Sequence, residues 1–260
     1  MVTVDGIILA GSSKEDKLKL SGAESCKAMI DIRGNPMVSY VFDVLKKSPH
    51  INKIVVVGPP EEMSLLFGEI DRVTVVPGGE SLIDSLLNAL EALQPEGNVL
   101  VATGDIPLLT GAALNDFLKR CSKRQADVYY PIVPKEANER VYPGIKRTYI
   151  KFKEGIFTGG NIFLFSPKIV PIAADKARAF VSKRKSPLAL AQLVGWKFLI
   201  KFLLHTATLE EAESLVSCIM GIKGAAVISP YPEVGIDVDK PSDLTLARSV
   251  LGKDGVPAKE

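Results

Sequence analysis

Continuous apolar runs alternate with helical periodicities along the first half of the chain. The runs at 6–10, 54–57, 73–76, 99–102 and 128–130 are rich in valine and isoleucine, and runs apolar on both faces suit strands of a parallel sheet covered by helices. Between them, Met37, Val38, Val41, Val44 and Leu45 recur at the i, i+3, i+4, i+7 spacing of a half-buried helix, as do Leu82, Ile83, Leu86, Leu90 and Leu93. Strands alternating with helices imply right-handed βαβ crossovers. The predicted fold is therefore α/β: an open, mostly parallel, doubly wound sheet whose ligands bind beyond the carboxyl ends of its strands.

The regularity breaks after Pro131. Pro134, Pro143, Gly144 and the basic stretch 146–153 predict a loop or hairpin that covers the site, and a strand-like run at 161–165 follows. From 176 to 221 the pattern is helical, with Thr208 and Glu211 spaced as a capping box. We take this region as a helical insertion within one domain spanning 1–260. The stripe Trp196, Phe198, Leu199, Phe202 and Leu203 is expected to face the core. A strand at 225–228 leads to Asp237-Val238-Asp239-Lys240-Pro241, where Pro241 suits the first turn of a closing helix.

Composition narrows the classes. With 260 residues, 47% hydrophobic and 24% charged, the chain has the make-up of a packed globular domain. Its 32 basic and 30 acidic residues nearly cancel, which argues against a nucleic-acid binder and makes any anion site local. Cys26, Cys121 and Cys218 form no C-x-x-C pair, so neither a disulfide framework nor a zinc site is expected and a cytoplasmic location fits. The first strand-like run begins after three residues with no basic leader before it, so no secretory signal is expected. Gly195, Lys197 and Lys201 interrupt the apolar tract 187–204, so no stable membrane insertion is expected either.

Three places could carry chemistry. Ile8-Leu9-Ala10-Gly11-Ser12 runs from a strand into a small-residue turn, which either offers backbone N–H groups to a phosphate or is simply tight. Thr103-Gly104-Asp105-Ile106-Pro107 puts a carboxylate at the carboxyl edge of a strand, as a metal ligand or as the cap of the next helix. Asp239 has the same two readings, whereas Asp237 reads as a solvated loop charge. In the covering segment, Lys146 and Arg147 adjoin the glycine turn and are the candidates to grip an anionic acceptor. His50 and His205 belong to no motif.

Taken in order, Leu9-Ala10-Gly11, Lys27 followed by Ile30, Ile32, Gly34, Pro36 and Met37, Gly104-Asp105-Ile106-Pro107, and Asp239-Lys240-Pro241-Ser242-Asp243-Leu244 resemble the nucleotidyltransferase superfamily with the GT-A fold, a Rossmann-like nucleotide-diphospho-sugar transferase fold. That superfamily includes the MobA-like molybdenum-cofactor guanylyltransferases, the methylerythritol-phosphate cytidylyltransferases and the sugar-1-phosphate nucleotidyltransferases. The resemblance implies Mg²⁺-dependent transfer of a nucleoside monophosphate from a triphosphate to a small phosphorylated acceptor, with release of pyrophosphate. It implies that Leu9, Ala10, Gly11, Ser12 and Gly104 line the nucleotide and that Lys27, as an exposed lysine, contacts its phosphates. Gly78, Gly79 and Ser85 would lie near the base, with Asp105 and Asp239 on Mg²⁺ and Gly159, Gly160 and Asn161 as the acceptor wall. The first loop departs from the pattern, reading Ser12-Ser13-Lys14 where the superfamily has a second glycine and an arginine; Lys14, Lys17 or Lys19 is the substitute cation. No nucleic-acid partner is implied, and a homodimer is compatible. Two other readings stand beside this one, a GT-A glycosyltransferase using a nucleotide sugar and a non-catalytic nucleotide-binding regulator. Pyrophosphate release from a plain triphosphate separates the transferase from both.

Overall fold

The computed structural model describes residues 3–11, 26–183 and 195–252. Its elements run β1 (Val4–Leu9), β2 (Asp31–Ile32), β3 (Asn35–Pro36), α1 (Met37–Lys47), β4 (Ile51–Val57), α2 (Pro60–Phe67), β5 (Val73–Val76), α3 (Leu82–Leu93), β6 (Val99–Thr103), α4 (Gly111–Cys121), β7 (Val128–Pro134), α5 (Lys135–Val141), β8 (Ile150–Phe152), β9 (Gly155–Gly159), β10 (Ile162–Phe165), α6 (Val170–Lys183), α7 (Trp196–Leu203), α8 (Leu209–Met220), β11 (Gly224–Ile228) and α9 (Pro241–Val250). Nine strands form one sheet in the order β5-β4-β1-β6-β10-β7-β9-β8, with β11 parallel to β7. Only β9 and β10 run against the others, so the sheet is mostly parallel in strand direction, as expected.

Neighbouring residues of β1 show why the apolar runs are continuous. Ile7 faces a cluster with Ala89 and Leu93 of α3, while Ile8 faces another with Val38 and Val41 of α1 and Phe117 of α4; both isoleucines are fully buried. Burial of such a side chain stabilises by roughly 1.5–3 kcal/mol relative to exposure. A strand covered on both sides has no polar face to display. The parallel register sets Leu9 beside Val57 and Thr103, so the exits of β1 and β6 lie side by side. They touch: the Gly104 N–H donates to the Leu9 carbonyl at 2.9 Å, and a Cβ on Gly104 would lie 3.2 Å from Ala10 Cα.

Two expectations change. The stretch after Pro131 is not wholly loop, because β7 continues to Pro134, α5 starts immediately after it, and only then comes the hairpin β8–β9. Proline's φ near −60° is compatible with the extended backbone leading into a helix, so Pro134 joins the two elements where it seemed to break them. The apolar stripe of α7 does not face the core: Trp196 is 68% exposed, Leu203 65% and the following Leu204 67%. Phe198, Leu199 and Phe202 are half-buried. The Thr208–Glu211 capping box forms as expected, and α8 packs on β11 and α6. The helical region begins at Val170, ahead of the expected 176. No helix among the described residues is long and apolar enough to cross a membrane.

Trp196 is the sole tryptophan of the chain, so its exposure is directly measurable. We expect native fluorescence at the emission maximum of hydrated indole, with acrylamide quenching nearly as efficient as in the denaturant-unfolded chain. A blue-shifted, protected emission would show the face to be covered.

Candidate active site

The site forms where three segments meet at the carboxyl rim of the sheet. Asp105 follows β6, and its carbonyl accepts the Val238 N–H at 2.9 Å. That bond holds the extended stretch 236–239 against the exit of β6. Within it, Ile236 and Val238 are buried with Ile32, Met37, Leu108 and Ala247. Alternate residues of an extended chain point to opposite faces, so Asp237 and Asp239 both turn away from this core. Oxygens of Asp105, Asp237 and Asp239 lie within 4.8 Å of one another.

Neither Asp105 nor Asp239 serves as a helix cap. Thr110 caps α4 through its hydroxyl, which accepts the Ala113 N–H. At α9 the N-cap is Lys240, and Asp243 in the first turn of the helix reaches back, its Oδ2 accepting the N–H groups of Asp239 at 3.1 Å and Lys240 at 3.0 Å. Both candidate metal carboxylates are thereby free of a capping role.

Lys27 corrects the expectation of an exposed lysine. It starts a 3₁₀ turn whose Ala28 is buried beside it, and its Nζ lies 2.7 Å from Asp105 Oδ2 and 2.6 Å from Asp239 Oδ1. Its side chain is only 8% exposed, against 23% for Asp105 and 58% for Asp239. Water therefore screens the Asp239 contact more strongly, and the Asp105 contact carries more of the attraction. Burial alone would depress the Lys27 ammonium, yet the two carboxylates outweigh it and hold the group above the ordinary lysine range. The Asp239 carboxyl is held below its usual value, because hydrogen bonding and attraction from Lys27 overcome the opposing effect of burial.

Asp237 is not a solvated loop charge. Its side chain is 17% exposed and ion-paired with Arg147, whose guanidinium also donates to the Gly235 carbonyl. Burial pushes the Asp237 carboxyl upward, with Asp105 and Asp239 acting in the same sense and Arg147 opposing. The same pairing directs Arg147 inward at 235–237, while Lys146 beside it is exposed. Sequence reasoning missed this pair, although the apolar–acidic alternation Ile236-Asp237-Val238-Asp239 already puts both aspartates on one face.

The other expected residues divide by role. Leu9 and Ala10 are buried in the sheet's two cores, and Gly11 after them is exposed; Ser12, Lys14, Lys17 and Lys19 lie outside the described residues. Gly78 and Gly79 are exposed on the turn after β5, on the same rim, and the Ser85 hydroxyl accepts the Gly79 N–H at 2.9 Å. Ser85 thus shapes this turn. Gly160 is confined by packing, since a Cβ there would lie 2.8 Å from Pro131 Cγ and 3.0 Å from the Val234 carbonyl, whereas a Cβ on Gly159 would meet only the side chain of Tyr130. Asn161 bridges by its backbone, accepting from Thr103 and donating to Val234.

The donor set suits a hard divalent cation. Three carboxylate ligands converge, and Asp105 Oδ1 is buried without a hydrogen-bond partner, an acceptor lone pair that a cation satisfies. Asp105 and Asp239, with Asp237 beside them, are the residues that could hold Mg²⁺.

The chain is similar to known proteins over most of its length. A solved structure of a hypothetical transferase from Thermus thermophilus is 40% identical, with a TM-score of 0.81 over 94% of this chain and 100% of that one. A 2-C-methyl-D-erythritol 4-phosphate cytidylyltransferase of Clostridium kluyveri is 31% identical over 120 residues, 44% of this chain and 50% of the relative. The chain thus spans about half the length of the curated relatives it first matches. The 4-diphosphocytidyl-2C-methyl-D-erythritol synthase of Anaerococcus prevotii, 13% identical, superposes with a TM-score of 0.58 over 96% of this chain and 99% of that one, and so shares its GT-A-like fold. Residues 6–201 match the profile of the MobA-like NTP transferase domain, and the chain belongs to that family.

Proposed function

We propose that this protein transfers a nucleoside monophosphate from a triphosphate to a small phosphorylated acceptor, with Mg²⁺ and with release of pyrophosphate. The observation that carries the reading is the convergence of Asp105, Asp237, Asp239 and Lys27 on the rim where the turn after β1 leaves the sheet. In this reaction an oxygen of the acceptor phosphate forms a bond to the α-phosphorus as the bond from that phosphorus to the pyrophosphate oxygen breaks. The attacking oxygen is already ionised, so no general base is needed. His50 precedes β4 at the opposite edge of the sheet, and His205 is exposed after α7, so neither adjoins the acidic cluster.

Mg²⁺ held by Asp105 and Asp239 would screen the triphosphate charge that otherwise repels an anionic nucleophile. The turn at Gly11 offers backbone N–H groups to the phosphates. Lys27 supplies a cation for charge developing on the leaving pyrophosphate. Lys146, exposed on the segment that Arg147 fastens down, is the side chain for the acceptor phosphate. We read the chain as one such domain, with the helices between 176 and 221 inserted in it.

Asp105→Asn is expected to lower Mg²⁺-dependent pyrophosphate release by at least about a hundredfold, because losing a metal ligand costs several kcal/mol of transition-state stabilisation. Near-normal turnover, assayed with each of the four triphosphates and a panel of phosphorylated acceptors, would exclude Asp105 from the metal. Arg147→Ala is expected to reduce folding stability by about 3–5 kcal/mol, the effect of leaving Asp237 buried without its cation. Adding Asp237→Asn should recover most of that loss in denaturant titrations. If Arg147→Ala keeps full stability and only raises the acceptor KM, the residue grips the acceptor after all.

A further inference from the structure

Lys27 stands where a metal's ligands are. The oxygens that accept from its ammonium, Asp105 Oδ2 and Asp239 Oδ1, belong to the two carboxylates assigned to Mg²⁺. Three aspartates, one lysine and one arginine leave the cluster with a formal charge of −1 (−3 from Asp105, Asp237 and Asp239, +2 from Lys27 and Arg147). A cluster of three bare carboxylates would attract a divalent cation strongly. One already holding two cations attracts it far less, and an ammonium and a metal sharing the same carboxylates repel each other.

The ammonium cannot simply withdraw. Its side chain is 8% exposed, and a buried charge that leaves its partners without finding another carries a desolvation cost of several kcal/mol. An anion supplied at the same rim removes that cost. The triphosphate assigned to the turn at Gly11 is such an anion, because Gly104 N–H is bonded to Leu9 and so sets the entrance of that turn directly beside Asp105.

We propose that Lys27 is an internal counter-cation that closes the metal site of the free protein, releasing Asp105 and Asp239 to the metal only when a triphosphate accepts its ammonium. The inference rests on the reading of this cluster as a metal–nucleotide site. It makes the order of binding a property of the charge balance: the free protein binds divalent metal weakly, and metal enters with the nucleotide or after it. Lys27 then has two successive partners, carboxylates before the nucleotide arrives and phosphates afterwards.

The test is titration of nucleotide-free protein with Mn²⁺, with the unbound ion followed by electron paramagnetic resonance. Lys27→Met keeps most of the aliphatic stem and removes the charge; we expect it to bind Mn²⁺ at least about tenfold more tightly than the unaltered protein. Lys27→Arg, which keeps the charge, should bind as weakly as the unaltered protein, and adding Asp105→Asn to Lys27→Met should cancel the gain. If Lys27→Met folds poorly without metal, its melting temperature should rise more steeply with Mn²⁺ than that of the unaltered protein. Equal affinity and equal thermal shift in Lys27→Met and the unaltered protein overturn the proposal while leaving the metal site standing. Absence of Asp105-dependent Mn²⁺ binding in every variant overturns the metal site as well.

Discussion

Three carboxylates within 4.8 Å of one another repel unless cations stand among them, and the rim of this sheet is organised around that constraint. Lys27 and Arg147 both meet it from far upstream in sequence. Lys27 lies 78 residues before Asp105 and 212 before Asp239, while Arg147 lies 90 before Asp237. Each ion pair is therefore also a tertiary tie. One fastens the 3₁₀ turn at 27–29 to the exit of β6 and to the stretch 236–239, and the other fastens the segment ahead of β8 to the stretch that carries two of the aspartates. With these side chains, Asp239 excepted, mostly withdrawn from water, removing Lys27 leaves Asp105 and removing Arg147 leaves Asp237 buried and uncompensated, which costs more than the pair contributes relative to an apolar replacement.

The sheet supplies the rigid part of this arrangement. Parallel pairing of β1 with β4 and β6 sends their exits to one edge, and Ile7 and Ile8 lock β1 between two helical layers. Glycine at 104 permits the turns after β1 and β6 to touch, and glycine at 160 lets the start of β10 lie against Val234. The glycines flanking the site thus act through close packing, which fixes where the acidic stretch 236–239 passes.

Much of this was legible in the sequence because it depends on local periodicity. The runs that became β1, β4, β5 and β6 and the helical spacings of α1 and α3 needed no knowledge of partners. What depended on distant partners was not legible. Lys27 was expected to be exposed, since nothing near it in sequence could pair with it, and its two carboxylates lie in other segments. The pairing of Arg147 with Asp237 was missed for the same reason, and Asp237 was set aside because its own neighbours give no hint of a buried cation. The stripe of α7 fails differently: amphipathic spacing shows that one face is apolar, not that another element covers it, and Trp196 and Leu203 are exposed. The helix α5 was hidden by Pro134, which reads as a breaker but serves as the residue leading into it.

In the proposed function Asp105 and Asp239 hold a divalent cation beside the triphosphate. Anomalous diffraction from crystals grown with Mn²⁺ and a non-hydrolysable triphosphate analogue tests it most directly. An anomalous peak bonded to carboxylate oxygens of Asp105 and Asp239 is expected, with Lys27 turned from them toward the phosphates. A peak bonded only to the nucleotide, with Lys27 still bridging the two aspartates, would contradict it.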